Sequence, residues 1–254
     1  MARAGLALAP VPVDEQGMRV EELVERPGPS LEAAVVTPAH HFPTGTVLAP
    51  ARRATLIKWA RRASALILED DYDAEFRYDR RPIGTVQGMD PAQVALFGSL
   101  SKTLAPALSL GWVVTPPRWT QALRSAESRL TGPPVLDQLA LARFVETGAY
   151  DRHLRSVRQR YRARRDRLVE ALARHLPDCS TAGVAAGLHV VVHLPKGIDG
   201  AAASTTLAEL GEGLGELACS GEAVCVDGLP SRVQRPARTS APVTGELRRS
   251  PAPR

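Results

Sequence analysis

Short apolar runs alternate with longer helical patterns through the first two-thirds of this 254-residue chain. Apolar residues that run together between turn-forming residues predict strands at 6–13, 31–36, 66–68, 94–97 and 111–114. Apolar residues recurring at helical spacing predict helices at 50–63, 119–129 and 135–146. Short apolar strands between helices are typical of a largely parallel α/β sheet, which binds ligands at the carboxyl ends of its strands.

A longer helix is predicted at 150–176, with an apolar stripe surrounded by arginines. The stripe consists of Leu154, Val157, Tyr161, Leu168 and Leu172. The arginines could line a nucleic-acid groove or form a solvated helix face. The second interpretation is favoured, because they surround the stripe and no aromatic residues interleave with them. A strand at 187–194 and a helix at 201–218 follow, which together predict a small α+β domain.

The composition divides the chain into three parts. Residues 1–145 are predicted to form a large α/β domain, and residues 146–228 a small C-terminal domain. Residues 229–254 are rich in proline and arginine and contain no aromatic residue. Such a segment buries too little apolar surface to offset the cost of ordering it, so we expect a disordered tail.

Overall composition indicates a globular, cytoplasmic protein. Hydrophobic residues make up 44% of the chain, charged residues 23%, and the net charge is +5. The three cysteines lack the C-x-x-C spacing of a zinc site and are odd in number, which disfavours a disulfide framework. We expect no secretory leader, because the apolar stretch at the start is short, and no transmembrane helix, because no apolar run is long enough.

Candidate chemistry centres on Lys102, one of only three lysines among 32 basic residues. It follows a predicted strand and lies between small hydroxyl residues, including Ser99 and Ser101. A lysine amine can lose its proton and attack a carbonyl, whereas an arginine stays protonated. An ordinary lysine in a surface loop is the alternative, and it is favoured if Lys102 is considered alone.

A second candidate is the acidic stretch Glu69–Glu75, which follows the strand at 66–68. A calcium-binding EF-hand loop starting at Asp71 is excluded, because Phe76 and Pro82 occupy its glycine and glutamate positions. A carboxylate at a strand end can instead pair with a protonated ring nitrogen of a cofactor. Capping of nearby backbone amides is the equally favoured alternative at this point.

The histidines do not predict a metal site. His40 and His41 are adjacent and therefore face different directions in most backbones. His189 and His193 share one face of a predicted strand, but the sequence offers them no third ligand, so we interpret them as structural or surface residues.

Four segments together resemble the fold-type-I superfamily of aminotransferases that depend on pyridoxal phosphate. The resemblance is greatest to the aminotransferase-like effector domain of MocR-type transcriptional regulators of the GntR family. It covers roughly residues 5–195 and is carried by residues 37–45, 69–79, 98–106 and 150–154. It implies a partial fold-type-I large domain with a mostly parallel sheet, followed by a small α+β domain.

The resemblance also implies roles for single residues. Lys102 would bond covalently to pyridoxal phosphate, and Asp70 would keep its pyridine nitrogen protonated. Tyr72 would hydrogen-bond the ring hydroxyl, and His41 would lie near the same side of the ring. Ser99 and Ser101 would contact the phosphate. A homodimer and an amino acid or amine ligand are implied as well.

Departures from the family pattern limit this expectation. Ser109 stands where the family has an arginine that binds the cofactor phosphate, and the arginine that grips a substrate carboxylate is not identifiable. The sequence also lacks the family's DNA-binding module and the first part of its large domain, which suggests a truncated gene product. The main hypothesis is a truncated MocR-type effector domain that binds pyridoxal phosphate weakly. A stand-alone class I/II aminotransferase and a decayed, non-functional fragment are the alternatives.

Overall fold

The computed structural model describes residues 6–25, 31–78, 83–127, 132, 134–183, 186–198, 217–220 and 223–227. The chain begins with a small antiparallel hairpin of β1 (Val13–Asp14) and β2 (Gly17–Met18), followed by the short helix α1 (Val20–Glu25). Val20 and Leu23 of α1 are buried, so this helix adds its apolar face to the first core.

The central sheet has four strands in the order β3-β4-β5-β6. The strands are β3 (Ala33–Val36), β4 (Leu66–Asp71), β5 (Val94–Ser99) and β6 (Gly111–Val114). The first three are parallel and β6 pairs antiparallel with β5. The prediction of an α/β fold with a largely parallel sheet is therefore confirmed.

In the described part of the chain, five further α-helices follow α1. They are α2 (Pro50–Ala63), α3 (Val86–Met89), α4 (Pro117–Glu127), α5 (Val135–Glu146) and α6 (Ala149–His175). Pro50 opens α2 at a position where its missing N–H costs nothing, and Ser64 closes it in the left-handed conformation at φ 52°.

One face of the central sheet carries the main core. Leu56 and Ala60 of α2 are fully buried against it, together with Ile67 of β4 and Val94 of β5. The opposite face keeps apolar side chains exposed, among them Val35 at 50% and Phe97 at 38%. The candidate residues Asp70, Ser99 and Lys102 lie at or just beyond the carboxyl ends of β4 and β5.

A second sheet follows α6, with antiparallel strands in the order β7-β8-β10-β9. The strands are β7 (Ser180–Ala182), β8 (His189–His193), β9 (Leu217–Ser220) and β10 (Ala223–Asp227). The apolar stripe of α6 covers this sheet and the segment after β4. Its Leu168 and Leu172 pack against Val190 and Val192, and the stripe residues Val157 and Tyr161 pack with Phe76 and Leu188.

Two sequence predictions require correction. Residues 6–12 form no strand, because Pro10 and Pro12 interrupt the apolar run and cannot donate to a ladder. Leu217 and Ala218 belong to β9 and not to a helix, while residues 201–216 lie outside the described part of the chain. The predicted tail also lies outside it, and the division at 145/146 stays a prediction.

None of the helices in the described ranges combines the length and the apolar character needed to span a membrane.

Candidate functional site

The carboxyl ends of β4 and β5 lie side by side, with Asp70 paired to Phe97 and Asp71 to Gly98. Side chains alternate along a strand, so Glu69 and Asp70 lie on opposite faces of the sheet. Glu69 is 1% exposed, and its two oxygens accept the N–H groups of Val86 and Gln87 at 2.9 and 2.7 Å. Glu69 therefore caps the start of α3, and Asp70 is the carboxylate that remains exposed at the strand end.

Lys102 lies in a tight turn directly after β5. The N–H of Leu104 donates to the carbonyl of Leu100 at 2.9 Å, and the N–H of Leu100 donates to the carbonyl of Leu110 at 3.0 Å. Within the same turn, the Ser99 hydroxyl donates to the Ser101 hydroxyl at 2.9 Å and accepts the Ser101 N–H at 3.1 Å. The hydrogen-bonded turn therefore carries the amine of Lys102 and the hydroxyls of Ser99 and Ser101 within four residues.

A buried polar pair lies behind Tyr72. His40 and Asp73 are 3% and 2% exposed, and Nδ1 of His40 is 2.6 Å from Oδ2 of Asp73. The carboxylate oxygen of Asp73 accepts this hydrogen bond, and the Nδ1–H group of His40 donates it. The Tyr72 hydroxyl lies 3.4 Å from the same nitrogen. The hydrogen bond between His40 and Asp73 thus fixes the segment that follows β4. Sequence reasoning did not predict this contact.

His189 is the first residue of β8, and it places the second sheet in contact with the His40–Asp73 pair. Its ring centroid lies 4.4 Å from that of His40, and the side chain is 7% exposed. Its Nε2 is buried without a hydrogen-bond partner. Burial, and to a smaller extent the electrostatic influence of His40, His41 and Lys102, lower the pKa of His189 to about 3. His189 is therefore a buried, neutral imidazole, so of the two sequence interpretations it is a structural residue and not a surface one.

Gly187 permits this close approach. It has φ +73°, and a Cβ added there would lie 2.0 Å from Cε1 of His40. Its N–H donates to the carbonyl of Phe76 at 2.8 Å, and its carbonyl accepts the Tyr78 hydroxyl at 2.9 Å. Any side chain at position 187 would push β8 away from the end of β4.

His40, Asp73 and His189 are of the types that ligate metals, and their ligand atoms lie within 4.8 Å of one another. Two observations disfavour a cation there. The Asp73 oxygen already accepts from His40, and Lys102 adds positive charge to the surroundings. We therefore interpret the cluster as a hydrogen-bonded support, and not as a metal site.

The remaining predicted residues occupy the same end of the sheet. His41 is partly buried, its Nδ1 lies 2.8 Å from the Thr44 hydroxyl, and desolvation lowers its pKa. Asp70 keeps exposed surface, yet partial desolvation and then the charge of Asp73 raise its pKa. Both shifts favour the neutral forms of these side chains.

Ser109 departs from the family pattern in its side chain, and its backbone conformation is unusual for a residue other than glycine. It is exposed and has φ 49°, in the left-handed region that few residues other than glycine adopt. It immediately precedes Leu110, whose carbonyl holds the turn of Lys102. Position 109 therefore adjoins the lysine turn through the backbone, and the neutral serine hydroxyl supplies no cationic group there.

Comparisons with known proteins agree on the fold. The family described as aminotransferase class I and II matches residues 2–215. An HTH-type transcriptional regulator of Bacillus subtilis, YhdI, is 36% identical over 190 residues, which cover 74% of this chain and 40% of that protein. The probable rhizopine catabolism regulatory protein MocR of Rhizobium meliloti is 36% identical over 200 residues, covering 77% and 40%.

A solved structure supports the same conclusion. Kynurenine aminotransferase of Pyrococcus horikoshii superposes with a TM-score of 0.74 at 25% identity, covering 85% of this chain and 57% of that one. The chain therefore spans less than two-thirds of the length of the relatives and of the solved structure that it matches.

Proposed function

The chain belongs to the class I and II aminotransferase family, and we propose that it is the ligand-sensing effector domain of a MocR-type transcriptional regulator. Pyridoxal 5'-phosphate is the cofactor that this family indicates. The observation that carries the proposal is the presence of Lys102 beside the carboxyl ends of β4 and β5, together with Asp70 and Tyr72. We propose an amino acid or amine as the ligand that is sensed.

The side chains at this end of the sheet fit the cofactor chemically. Bound pyridoxal phosphate supplies a carbonyl that bonds to amines and a ring that withdraws electrons. Lys102 offers the amine for covalent attachment, and Asp70 offers a carboxylate for the ring nitrogen. Tyr72 and His41 offer polar groups for the ring oxygen. The buried, unpartnered Nε2 of His189 is a further polar atom that a bound molecule would satisfy.

The phosphate half of the site fits less well. Ser99 and Ser101 offer hydroxyls, but Ser109 supplies no guanidinium where the family has one. A bidentate guanidinium–phosphate contact contributes roughly 1.5–3 kcal/mol. We therefore propose weak, reversible binding of the cofactor, which suits a sensor better than a catalyst.

A stand-alone aminotransferase is the second candidate. It is favoured by the likeness to kynurenine aminotransferase and by the presence of Lys102, Asp70 and Tyr72, the groups that amino transfer needs. Formation of a 2-oxo acid from an amino acid would support this candidate. Ligand-dependent change in cofactor binding without a 2-oxo acid product would support the sensor.

Absorbance spectroscopy tests the proposal. Titration of the purified chain with pyridoxal phosphate is expected to produce the visible band of a lysine-bound cofactor. The band is expected to disappear in Lys102→Ala and to persist in Lys58→Ala, a matched change at an exposed lysine of α2. A band that survives in Lys102→Ala would contradict the assignment.

Two further features are part of the proposal. Residues 1–145 and 146–228 act as large and small domains, with α6 beginning close to the boundary. The functional form is a homodimer, as is usual for this fold, and sedimentation of the purified chain is expected to show about twice the monomer mass of 27.2 kDa.

A further inference from the structure

We propose that His153 is a positioning residue for Lys102. Its ring holds the backbone of the lysine turn through the carbonyl of Thr103, the residue that follows Lys102. The role of Lys102 itself rests on the function proposed above. The inference also explains the segment 150–154, which the family resemblance includes but to which the proposed chemistry gives no role.

The central contact is a single hydrogen bond between distant parts of the chain. Nε2 of His153 lies 2.8 Å from the carbonyl oxygen of Thr103, fifty residues earlier in the sequence. A carbonyl oxygen only accepts, so Nε2 carries the proton and donates. Within the turn itself, the N–H of Leu104 is bonded to the carbonyl of Leu100. The turn is therefore held by one hydrogen bond within itself and by a second one from His153 of α6.

A second group on the same helix face reinforces this contact. Tyr150 lies one turn before His153 on α6, and its hydroxyl donates to the Thr103 hydroxyl at 3.5 Å, the outer limit of a hydrogen bond. Thr103 is 3% exposed, so water does not compete strongly for these bonds. Phe144 of α5 packs against both rings, with centroids 6.2 Å from Tyr150 and 6.1 Å from His153. The donor side chains are thus held in place by packing.

The same helix also contacts the other half of the site. One turn further along α6, Val157 packs with Phe76, and the guanidinium of Arg158 donates to the backbone and the carboxylate of Glu75. Glu75 and Phe76 follow Tyr72 and Asp73 in the segment after β4. The first three turns of α6 therefore connect the turn of Lys102 to the segment of Tyr72. This arrangement ties the backbone of the lysine turn to the segment that carries Tyr72.

The test compares three variants on one helix. His153→Leu removes the donor but keeps an apolar side chain of similar volume. His153→Gln keeps an N–H donor at comparable reach and is expected to rescue the contact. His175→Leu makes the same replacement at an exposed histidine at the other end of α6, and it serves as the control. Thermal unfolding of each variant reports any general loss of stability.

The first measurement needs no cofactor. Hydrogen exchange of the backbone amides of residues 100–104, followed by mass spectrometry, is expected to be about three- to tenfold faster in His153→Leu than in the native chain. Exchange in α2 is expected to stay unchanged, and His153→Gln and His175→Leu are expected to resemble the native chain. Equal exchange in His153→Leu and His175→Leu would overturn the inference, and so would a failure of His153→Gln to restore protection.

The second measurement is the titration with pyridoxal phosphate, followed by the visible band of Lys102. His153→Leu is expected to need about three- to tenfold more cofactor for half-saturation, with native behaviour in His153→Gln. If the native chain gives no band that depends on Lys102, the proposed function fails. The exchange experiment would then still decide whether His153 braces the turn, so the two failures are distinguishable.

Discussion

Ser109→Arg is expected to strengthen the binding of pyridoxal phosphate, because it restores a cationic side chain where the phosphate would bind. Ser109 already has φ 49°, so an arginine there inherits the backbone strain without adding to it. The position is exposed, and water competes for the phosphate, so the gain belongs at the lower end of a charge-assisted pair. We expect about 1.5 kcal/mol, which corresponds to roughly a tenfold lower dissociation constant.

The assay is an absorbance titration at fixed ionic strength with two ligands, pyridoxal phosphate and pyridoxal. Pyridoxal has the same ring and carbonyl but no phosphate, so its affinity is expected to be unchanged in Ser109→Arg. Ser109→Lys adds the same charge without the planar fork and is expected to gain only about threefold. An equal gain for both ligands, or no gain for pyridoxal phosphate, would refute the placement of the phosphate beside Ser109.

Two further predictions concern the buried support of the site. Gly187→Ala is expected to destabilise the fold by about 3 kcal/mol more than Gly197→Ala in urea unfolding. Both glycines have positive φ, but only a side chain at position 187 would meet His40. An equal loss of unfolding free energy in the two variants would contradict the close approach. His189 has its pKa lowered to about 3, so the unfolded chain binds the extra proton between pH 6.5 and 3, and stability falls as the pH falls through that window. The native chain is expected to lose about 2 kcal/mol more than His189→Asn between pH 7 and pH 5, and parallel curves would show that His189 is not buried as a neutral ring.

Much of the fold could be predicted because its elements are locally encoded. The apolar runs at 66–68 and 94–97 lie between helical patterns, and they form β4 and β5. The stripe of α6 was visible as apolar residues at helical spacing, and it packs as expected. The run at 6–13 has the same apolar character, but its two prolines remove the donors that a strand needs.

The candidate site divides in the same way. Lys102, Asp70 and Tyr72 lie in short motifs at predicted strand ends, so sequence alone brought them to attention. His40 and Asp73 are 33 residues apart in the sequence. His153 and its partner Thr103 are fifty residues apart. His189 reaches the pair only because Gly187 lets β8 approach. No local pattern encodes such contacts, although an isolated glycine such as Gly187 before an apolar run is the kind of signal that indicates close packing against its backbone.

The most direct test of the account is reductive trapping of the cofactor on the native chain. Borohydride treatment after incubation with pyridoxal phosphate fixes the cofactor to the amine that holds it, and peptide mass spectrometry identifies that amine. The chain has only three lysines, and peptide mass spectrometry distinguishes each of them from the others and from the α-amine. We predict modification at Lys102, with little at Lys58 or Lys196. Equal modification of all three lysines, or none at Lys102, would contradict the central claim.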